Sequence, residues 1–238
     1  NGTCGSCMAT IQSGQVHYPE GCPPGLSERE QAEGKALLCQ ARPRSDLIIV
    51  AREVKTSGDL VVKTLPCRVE QRELLAPDVM RLFLKLPNTE RLQFLAGHYI
   101  DILLADGRRR SFSLANPPHA DELLELHIRQ VPGGFFTDYL FNRMKDKALL
   151  RFQGPLGTFA LSEDSPRPII LIGGGTGFAP LKGMLEHAFH IGLDRPLHLY
   201  WGARAKVDLY LDELPRRWTT EHANFRYTPV LSEPHPED

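Results

Sequence analysis

The stretch from Ile169 to Pro180 constrains the fold of this chain more than any other. Four consecutive large apolar residues, 169–172, predict a strand buried on both faces, as in parallel sheets. Four glycines and Thr176 follow, and the apolar spacing after them predicts a helix. A strand, a glycine turn and a helix bring backbone N–H groups towards a pyrophosphate, so the stretch predicts a phosphate-binding site. A tight turn without a ligand is the alternative.

The glycine spacing excludes two common nucleotide motifs. Gly173, Gly175 and Gly177 give G-x-G-x-G, and Phe178 stands where G-x-G-x-x-G has its third glycine. No Gly-Lys-Ser/Thr follows, so the stretch is not a P-loop for a nucleoside triphosphate with magnesium.

Composition argues against several classes of partner and makes the cytoplasm the default compartment. The chain has 238 residues, enough for one or two domains, and a net charge of −1, which argues against nucleic acid and anionic membranes as partners. It has no apolar run long enough to span a bilayer, and its first residues do not resemble a signal peptide. Five cysteines, an odd number, argue against a secreted disulfide framework.

Three cysteines near the N-terminus have the spacing of an iron–sulfur site. Cys4, Cys7 and Cys39 match the second, third and fourth positions of the plant-type 2Fe–2S pattern C-x4-C-x2-C…C. The first position would fall before Asn1, so we expect the sequence to be a piece of a longer protein. A zinc half-site and a redox C-x-x-C pair are the alternatives, although zinc would require a second close pair of cysteines. Cys22 is interpreted as a loop thiol that could serve such a zinc site.

The middle of the chain is predicted to form an antiparallel barrel or sandwich, because short strand-like runs between residues 67 and 153 are separated by turn residues. Within it, Arg110 and Phe112 alternate along one strand, so both side chains share a face, and Ser113 follows at the strand's rim. This arrangement suits anion capture beside an aromatic platform; a charged edge strand is the alternative. Gly134 belongs to a glycine turn that leads into a predicted helix, 137–145, with Thr137 as its expected N-cap. A glycine turn at a helix start suggests a second phosphate-type site.

Three motifs in this order resemble the ferredoxin–NAD(P)H reductase superfamily in its iron–sulfur flavoprotein branch. The segment 110–113 is similar to the family's R-x-[FY]-S flavin motif. Residues 154–159 are similar to its G-P-x-G-x-F junction between domains, and residues 173–180 to its G-x-G-T-G-x-A-P nucleotide motif. Within the branch the chain is most similar to CDP-6-deoxy-3,4-glucoseen reductases, and next to oxygenase reductase components.

The resemblance implies a multidomain protein that combines α/β and all-β folds. Residues 1–55 would be part of a β-grasp 2Fe–2S ferredoxin domain. Residues 56–162 would form an antiparallel β-barrel that binds FAD. Residues 163–238 would form an incomplete parallel α/β domain that binds the nicotinamide nucleotide, and the family's C-terminal segment is missing.

The resemblance also implies cofactors and residue roles. Arg110 would bond the FAD pyrophosphate, Phe112 would pack on the flavin, and Ser113, the catalytic candidate, would lie near its N5. The other implied ligands are Gly134 and Thr137 for the FAD pyrophosphate; Gly174, Thr176 and Gly177 for the nicotinamide nucleotide; and Cys4, Cys7 and Cys39 for the 2Fe–2S cluster. Arg204 follows the second strand of the last domain, where an arginine can meet an NADP phosphate, but the family relatives favour NADH.

The implied activity is electron transfer from NADH, with NADPH as the alternative donor, through FAD and the cluster to a partner protein. The expected acceptor is a dehydratase acting on a CDP-6-deoxy sugar, and the alternative is a multicomponent oxygenase. A third hypothesis, from another class, is a non-catalytic redox or metal-binding module built on the same scaffold.

Overall fold

The computed structural model describes residues 2, 7–51 and 60–234, and the chain divides into two compact units, Asn1–Lys55 and Thr56–Asp238. Cys4 lies outside the described residues. Within its described residues, the first unit contains one short helix and five strands: β1 Met8–Ser13, β2 Val16–His17, α1 Glu28–Ala32, β3 Lys35–Leu37, β4 Arg42–Pro43 and β5 Ile48–Ala51.

The first unit is built on a three-stranded antiparallel sheet with the strand order β3-β1-β5. A two-stranded ribbon of β2 and β4 accompanies it. The helix α1 begins with a capping box, in which Ser27 Oγ accepts from the Glu30 N–H and the Glu30 carboxylate accepts from the Ser27 N–H. Leu37 is fully buried, and its N–H donates to the Tyr18 hydroxyl at 3.0 Å, which ties the end of β3 to the loop after β2.

The second unit begins with six antiparallel strands in the order β10-β7-β6-β11-β8-β9. These strands and one helix are β6 Lys63–Ala76, β7 Val79–Lys85, β8 Tyr99–Leu103, β9 Arg109–Ser113, β10 Leu124–Arg129, α2 Phe135–Asn142 and β11 Leu149–Leu156. A bridge between Leu114 and Leu126 joins the two outer strands, so the sheet closes into a barrel. Alternate strand residues fill its interior, and Ile100, Ile102 and Phe152 are fully buried there.

The unit continues into a parallel sheet with the order β12-β13-β14. Its elements are β12 Ile169–Gly174, α3 Phe178–His190, β13 Leu197–Ala203, α4 Glu213–Glu221 and β14 Phe225–Leu231. Apolar residues of α3 and α4 pack on Leu171, Leu199 and Trp201 of the sheet. The barrel, the parallel sheet and their helices thus confirm the predicted fold class.

One prediction about β12 is wrong, because this strand is buried on one face only. Leu171 is buried, whereas Ile170 and Ile172 are 66% and 76% exposed. Successive side chains of a strand point to opposite faces, and the described helices cover the face that contains Leu171. Among the described residues, no helix is long and apolar enough to cross a membrane.

Candidate functional site

The outer strand β9 presents the predicted aromatic platform beside the helix α2. Phe112 is half-buried, and its ring centroid lies 5.5 Å from that of Phe136 on α2. The Arg108 guanidinium lies over the Phe135 ring, 5.0 Å from its centroid. The structure therefore brings the arginine-rich start of β9 and the first residues of α2 to the same place.

Arg110 lies on β9 at a half-buried position, opposite Ile102 of β8. Its Nη1 donates to the Arg109 carbonyl oxygen at 2.8 Å, and it has no carboxylate partner within the described part of the chain. Ser113 ends the strand, half-buried, and its hydroxyl makes no hydrogen bond with the described residues. The Arg110 guanidinium and the Ser113 hydroxyl are therefore available to form hydrogen bonds with an anionic, polar ligand.

The start of α2 corrects the predicted helix boundary. The helix runs from Phe135 with Gly134 as its N-cap, two residues earlier than predicted, because Gly133 turns the chain at φ +72. Thr137 lies inside the first turn, where its buried hydroxyl accepts from the Val131 N–H at 3.1 Å. A Cβ on Gly134 would meet the Thr137 Oγ1 at 2.6 Å, so this turn requires glycine. The role expected of Thr137 as an N-cap is wrong, but its position beside the helix N-terminus is as predicted.

The glycine loop after β12 has two kinds of glycine. A Cβ on buried Gly173 would meet the Leu181 Cδ1 at 2.9 Å, so the packing around this position leaves no space for a larger side chain. A Cβ on Gly174 or Gly177 would meet nothing within 4 Å, so these positions leave the backbone open to a ligand. The half-buried Thr176 hydroxyl makes no hydrogen bond with the described residues.

Trp201 holds the apex of this loop. Its indole Nε1 donates to the Gly175 carbonyl oxygen at 2.9 Å, and Gly175 has φ +51, a conformation that favours glycine. The Phe178 ring stacks on Trp201 with 3.9 Å between centroids and 11° between planes. Such a stacked pair contributes about 0.5–1.5 kcal/mol beyond its buried area, so the loop rests on a rigid base.

A cavity of about 370 Å³ opens beside the glycine loop, at the carboxyl ends of the parallel strands. Ligands of open parallel sheets bind at this edge. Residues from the loop, from the ends of β13 and β14 and from the barrel line it: Arg129, Gly175, Gly202, Ala203, Arg204, Asp208, Val230 and Ser232. The structure thus brings Arg204 to the loop, whereas Gly174, Thr176 and Gly177 flank the cavity without lining it. Arg204 Nε lies 3.6 Å from an Asp208 carboxylate oxygen.

Arg129 is a lining residue that the sequence analysis missed. It lies on β10 of the barrel, and a Cβ on Gly175 would lie 3.5 Å from its Nη2. Its Nη1 donates to an Asp78 carboxylate oxygen at 2.8 Å, which fixes the guanidinium at the cavity. The sequence signal that could have identified Arg129 is a run of three polar residues at alternate positions of an otherwise apolar strand: Glu125, His127 and Arg129.

In the first unit, Cys7 and Cys39 lie side by side. The Cys39 N–H donates to Cys7 Sγ at 3.5 Å, the kind of backbone contact that stabilises thiolate ligands of a cluster. The hydrogen bond with the Cys7 side chain, followed by burial, raises the pKa of the Cys39 thiol. Cys22 is exposed, with its thiol directed to backbone carbonyls of its own loop. Two adjacent sulfurs and an N–H donor are compatible with an iron–sulfur cluster.

Three domain families match the chain in sequence. Residues 1–44 match the 2Fe–2S iron–sulfur cluster binding domain, residues 66–161 the oxidoreductase FAD-binding domain, and residues 171–238 the oxidoreductase NAD-binding domain. The CDP-6-deoxy-L-threo-D-glycero-4-hexulose-3-dehydrase reductase of Yersinia pestis is 40% identical over 232 residues, which are 98% of this chain and 69% of that protein. The chain belongs to the iron–sulfur flavoprotein branch of the ferredoxin–NAD(P)H reductase superfamily.

Two other relatives are the reductase subunit of an aromatic O-demethylase and a reductase component of terephthalate 1,2-dioxygenase from Comamonas. The reductase subunit of an aromatic O-demethylase from Amycolatopsis is 41% identical over 248 residues, with 99% of this chain and 72% of the subunit covered. The crystal structure of the Amycolatopsis cytochrome P450 reductase GcoB superposes with a TM-score of 0.74 at 38% identity, over 99% of this chain and 72% of that one.

These relationships confirm the predicted family and the expected cofactors FAD, NADH and 2Fe–2S. They also identify the protein as an NAD(P)H-dependent oxidoreductase, in place of a non-catalytic module.

Proposed function

We propose that this reductase takes electrons from NADH and passes them through FAD and a 2Fe–2S cluster to a partner enzyme. One observation carries the proposal: Arg129 of the barrel lines the cavity beside the glycine loop of the parallel sheet. A nucleotide held by that loop would therefore contact the barrel that would hold the flavin. FAD, when bound, would supply the conversion of a two-electron hydride from the nicotinamide into the single electrons that a cluster carries.

The proposed roles of the site residues follow their positions. Arg110, free of an acidic partner in the described chain, would bond the FAD pyrophosphate, and Phe112 would pack on the flavin. Ser113, with its unbonded hydroxyl, would lie near the flavin N5. Gly134 and Thr137 would support the pyrophosphate at the start of α2.

The remaining roles belong to the nucleotide and the cluster. Gly174 and Gly177, whose backbone is open, and Thr176 between them would receive the nicotinamide nucleotide, and Arg204 would line its cavity. Cys4, Cys7 and Cys39 would ligate iron. The corresponding domain assignment is residues 1–55 for the cluster, 56–162 for FAD and 163–238 for the nucleotide.

The proposed electron acceptor is a dehydratase acting on a CDP-6-deoxy sugar, as the name of the Yersinia relative indicates for that protein. An oxygenase or demethylase partner is the second candidate, supported by the similar identity of the Amycolatopsis subunit. The cytoplasm is the proposed compartment, because none of the four described cysteines, Cys7, Cys22, Cys39 and Cys67, forms a disulfide.

The function is tested by the absorption spectrum and by NADH oxidation. We expect flavin and iron–sulfur bands together, with NADH-dependent reduction of cytochrome c. A protein that is expressed with ample iron and carries neither FAD nor iron would contradict the proposal.

Cys39→Ser should separate the cluster from the flavin. We expect this variant to lose most of its iron and its cytochrome c reduction, because one thiolate ligand is removed. FAD should remain, and NADH-dependent ferricyanide reduction should continue, since the barrel lies in the other compact unit. Iron analysis and the two acceptor assays check this, with Cys22→Ser, an exposed thiol of the same unit, as the control. Equal iron loss in both variants would remove Cys39 from the ligand set.

Arg204→Ala tests the choice between the two nicotinamide nucleotides. We expect the unaltered reductase to prefer NADH, because the Asp208 carboxylate lies beside Arg204 in the cavity and would repel a further phosphate. The variant should lose about tenfold in kcat/KM with NADPH and less than about threefold with NADH, since only NADPH carries the phosphate that an arginine could bond. Steady-state kinetics with both nucleotides check this.

Arg217→Ala is the matched control for that experiment, because Arg217 also makes an exposed i,i+4 ion pair, with Glu221 on α4. Its kinetics should be unchanged with both nucleotides. A larger loss with NADH than with NADPH in Arg204→Ala would show that Arg204 does not face the 2′ position.

A further inference from the structure

Buried charged and polar side chains gather where the barrel meets the nucleotide-binding half of the second unit. Glu125 and His127 of β10 are 5% and 4% exposed, and Lys182 of α3 is 6% exposed. Charged side chains at such depth are rare unless they are paired. None of these three residues lines the cavity described above.

The Lys182 ammonium is fully bonded across this junction. Its Nζ lies 2.9 Å from a Glu125 carboxylate oxygen, 3.0 Å from one of Glu186, and 3.2 Å from the Ala115 carbonyl oxygen. An ammonium has three N–H donors, so each has an acceptor. Two of the acceptors, Glu125 and Ala115, belong to the barrel, whereas Lys182 and Glu186 belong to α3.

His127 extends the network on the barrel side. Its Nε2 lies 2.9 Å from the second Glu125 oxygen, and its Nδ1 lies 3.1 Å from the Tyr210 hydroxyl. Burial lowers the pKa of His127, so the ring is neutral at pH 7. Its Nε2–H then donates to the carboxylate, and Nδ1 accepts from Tyr210. Burial by itself would raise the pKa of Glu125, but the His127 hydrogen bond and the Lys182 charge lower it to about 2, so Glu125 is ionised.

The network reaches the glycine loop by two routes. Tyr210 packs edge-to-face on Trp201 at 5.1 Å, and Trp201 holds the Gly175 carbonyl. Lys182 stands on the second turn of α3, the helix that begins where the loop ends. Both the apex of the loop and its exit are therefore connected to β10.

The backbone of α3 packs closely on the barrel beside this ion pair, so the helix has little room to shift. A Cβ on Gly183, the neighbour of Lys182, would meet the Asn116 carbonyl oxygen of the barrel at 2.9 Å. A buried ion pair contributes little net stability, because desolvation offsets its attraction, but it requires one geometry. Hydride transfer has the same requirement, since a misplacement of about 1 Å can slow a reaction about a hundredfold.

We propose that Lys182 and Glu125 are positioning residues, whose buried ion pair holds α3 and the glycine loop in register with the barrel for hydride transfer. The inference rests on the proposed function, because the placement of α3 and the glycine loop against the barrel matters only if it brings the nicotinamide to the flavin. The pair acts on the relative placement of the two binding sites, and neither residue lines the cavity beside the glycine loop.

The variant Lys182→Met tests this inference in the full chain. It keeps an unbranched side chain, one atom shorter than that of lysine, and removes the charge. We expect FAD content and the dissociation constant for NAD+ to stay within about threefold of the unaltered protein, because the binding residues are intact. The limiting rate of flavin reduction at saturating NADH should fall about 10- to 100-fold. Amide hydrogen exchange of residues 173–181 should become faster, since the loop loses its attachment.

A double variant keeps the inference testable if Lys182→Met does not fold, because removal of one partner of a buried ion pair, here the ammonium bonded to Glu125, is strongly destabilising. Glu125→Gln combined with Lys182→Met removes both charges, and we expect it to fold with bound FAD, to reduce its flavin slowly and to exchange its loop amides rapidly. Lys85→Met, an exposed lysine of the barrel, is the control that should leave every measurement unchanged.

The outcomes separate this inference from the proposed function. If the double variant binds FAD and NAD+, reduces its flavin at the normal rate and keeps normal loop exchange, the inference is overturned and the function stands. If the unaltered protein binds neither FAD nor NAD+, the function fails, and the exchange of residues 173–181 still decides whether the ion pair holds the loop.

Discussion

The Arg110→Ala variant is expected to be purified with little or no FAD. Arg110 is a half-buried guanidinium that has no carboxylate partner in the described chain and lies on the strand face of Phe112. A charged hydrogen bond contributes about 1.5–3 kcal/mol, so its loss corresponds to about a 10- to 100-fold weaker dissociation constant for FAD. Weakening of this size is enough for a flavin to dissociate during purification.

The measurement is the ratio of flavin to protein after gel filtration, followed by titration of the apoprotein with FAD. Arg109→Ala is the matched control, because Arg109 is exposed on the opposite face of the same strand, where it donates to Gln153. The control should keep its FAD. An unchanged flavin ratio in Arg110→Ala, or an equal loss in both variants, would remove Arg110 from the FAD site.

Much of this architecture is local in the sequence and could be predicted from it. The strand, glycine loop and helix from Ile169 to His190 occupy consecutive residues, so periodicity and glycine spacing identify them directly. The placement of Arg110 and Phe112 on one face follows from the two-residue period of a strand. The spacing of Cys7 and Cys39 also indicated a pair, and the structure brings these residues together across one hydrogen bond.

The features that the sequence did not reveal depend on which distant surfaces meet. Lys182 and Glu125 are 57 positions apart, and nothing in the pattern around either residue identifies its partner. Similarly, an apolar run such as 169–172 cannot show which of its faces will be covered, so the exposure of Ile170 and Ile172 was not predicted. The start of α2 was misplaced because it depends on one glycine at positive φ, and a cap-type residue further along was a stronger local signal.

The two classes of glycine in the nucleotide loop lead to the second large effect. Gly177 has φ −59 and ψ −14, which valine also adopts, and a Cβ there meets nothing within 4 Å. We therefore expect Gly177→Val to fold with a stability change below about 1 kcal/mol and to keep its FAD. Its side chain would occupy the space through which a phosphate approaches the backbone, so NADH binding should weaken by on the order of 100-fold, the loss of one or two hydrogen bonds to a charged group.

Gly173→Ala provides the contrasting control within the same loop. Its Cβ would lie 2.9 Å from the Leu181 Cδ1 and 3.0 Å from the Gly177 backbone, so we expect a loss of about 1–3 kcal/mol in the free energy of unfolding. Titration of both variants with NAD+, together with thermal unfolding, distinguishes a residue that packs the loop from one that admits a ligand. If Gly177→Val bound NAD+ as tightly as the unaltered protein, the pyrophosphate would have to lie elsewhere. The cavity between Arg129 and Arg204 would then have to bind the nucleotide without the loop.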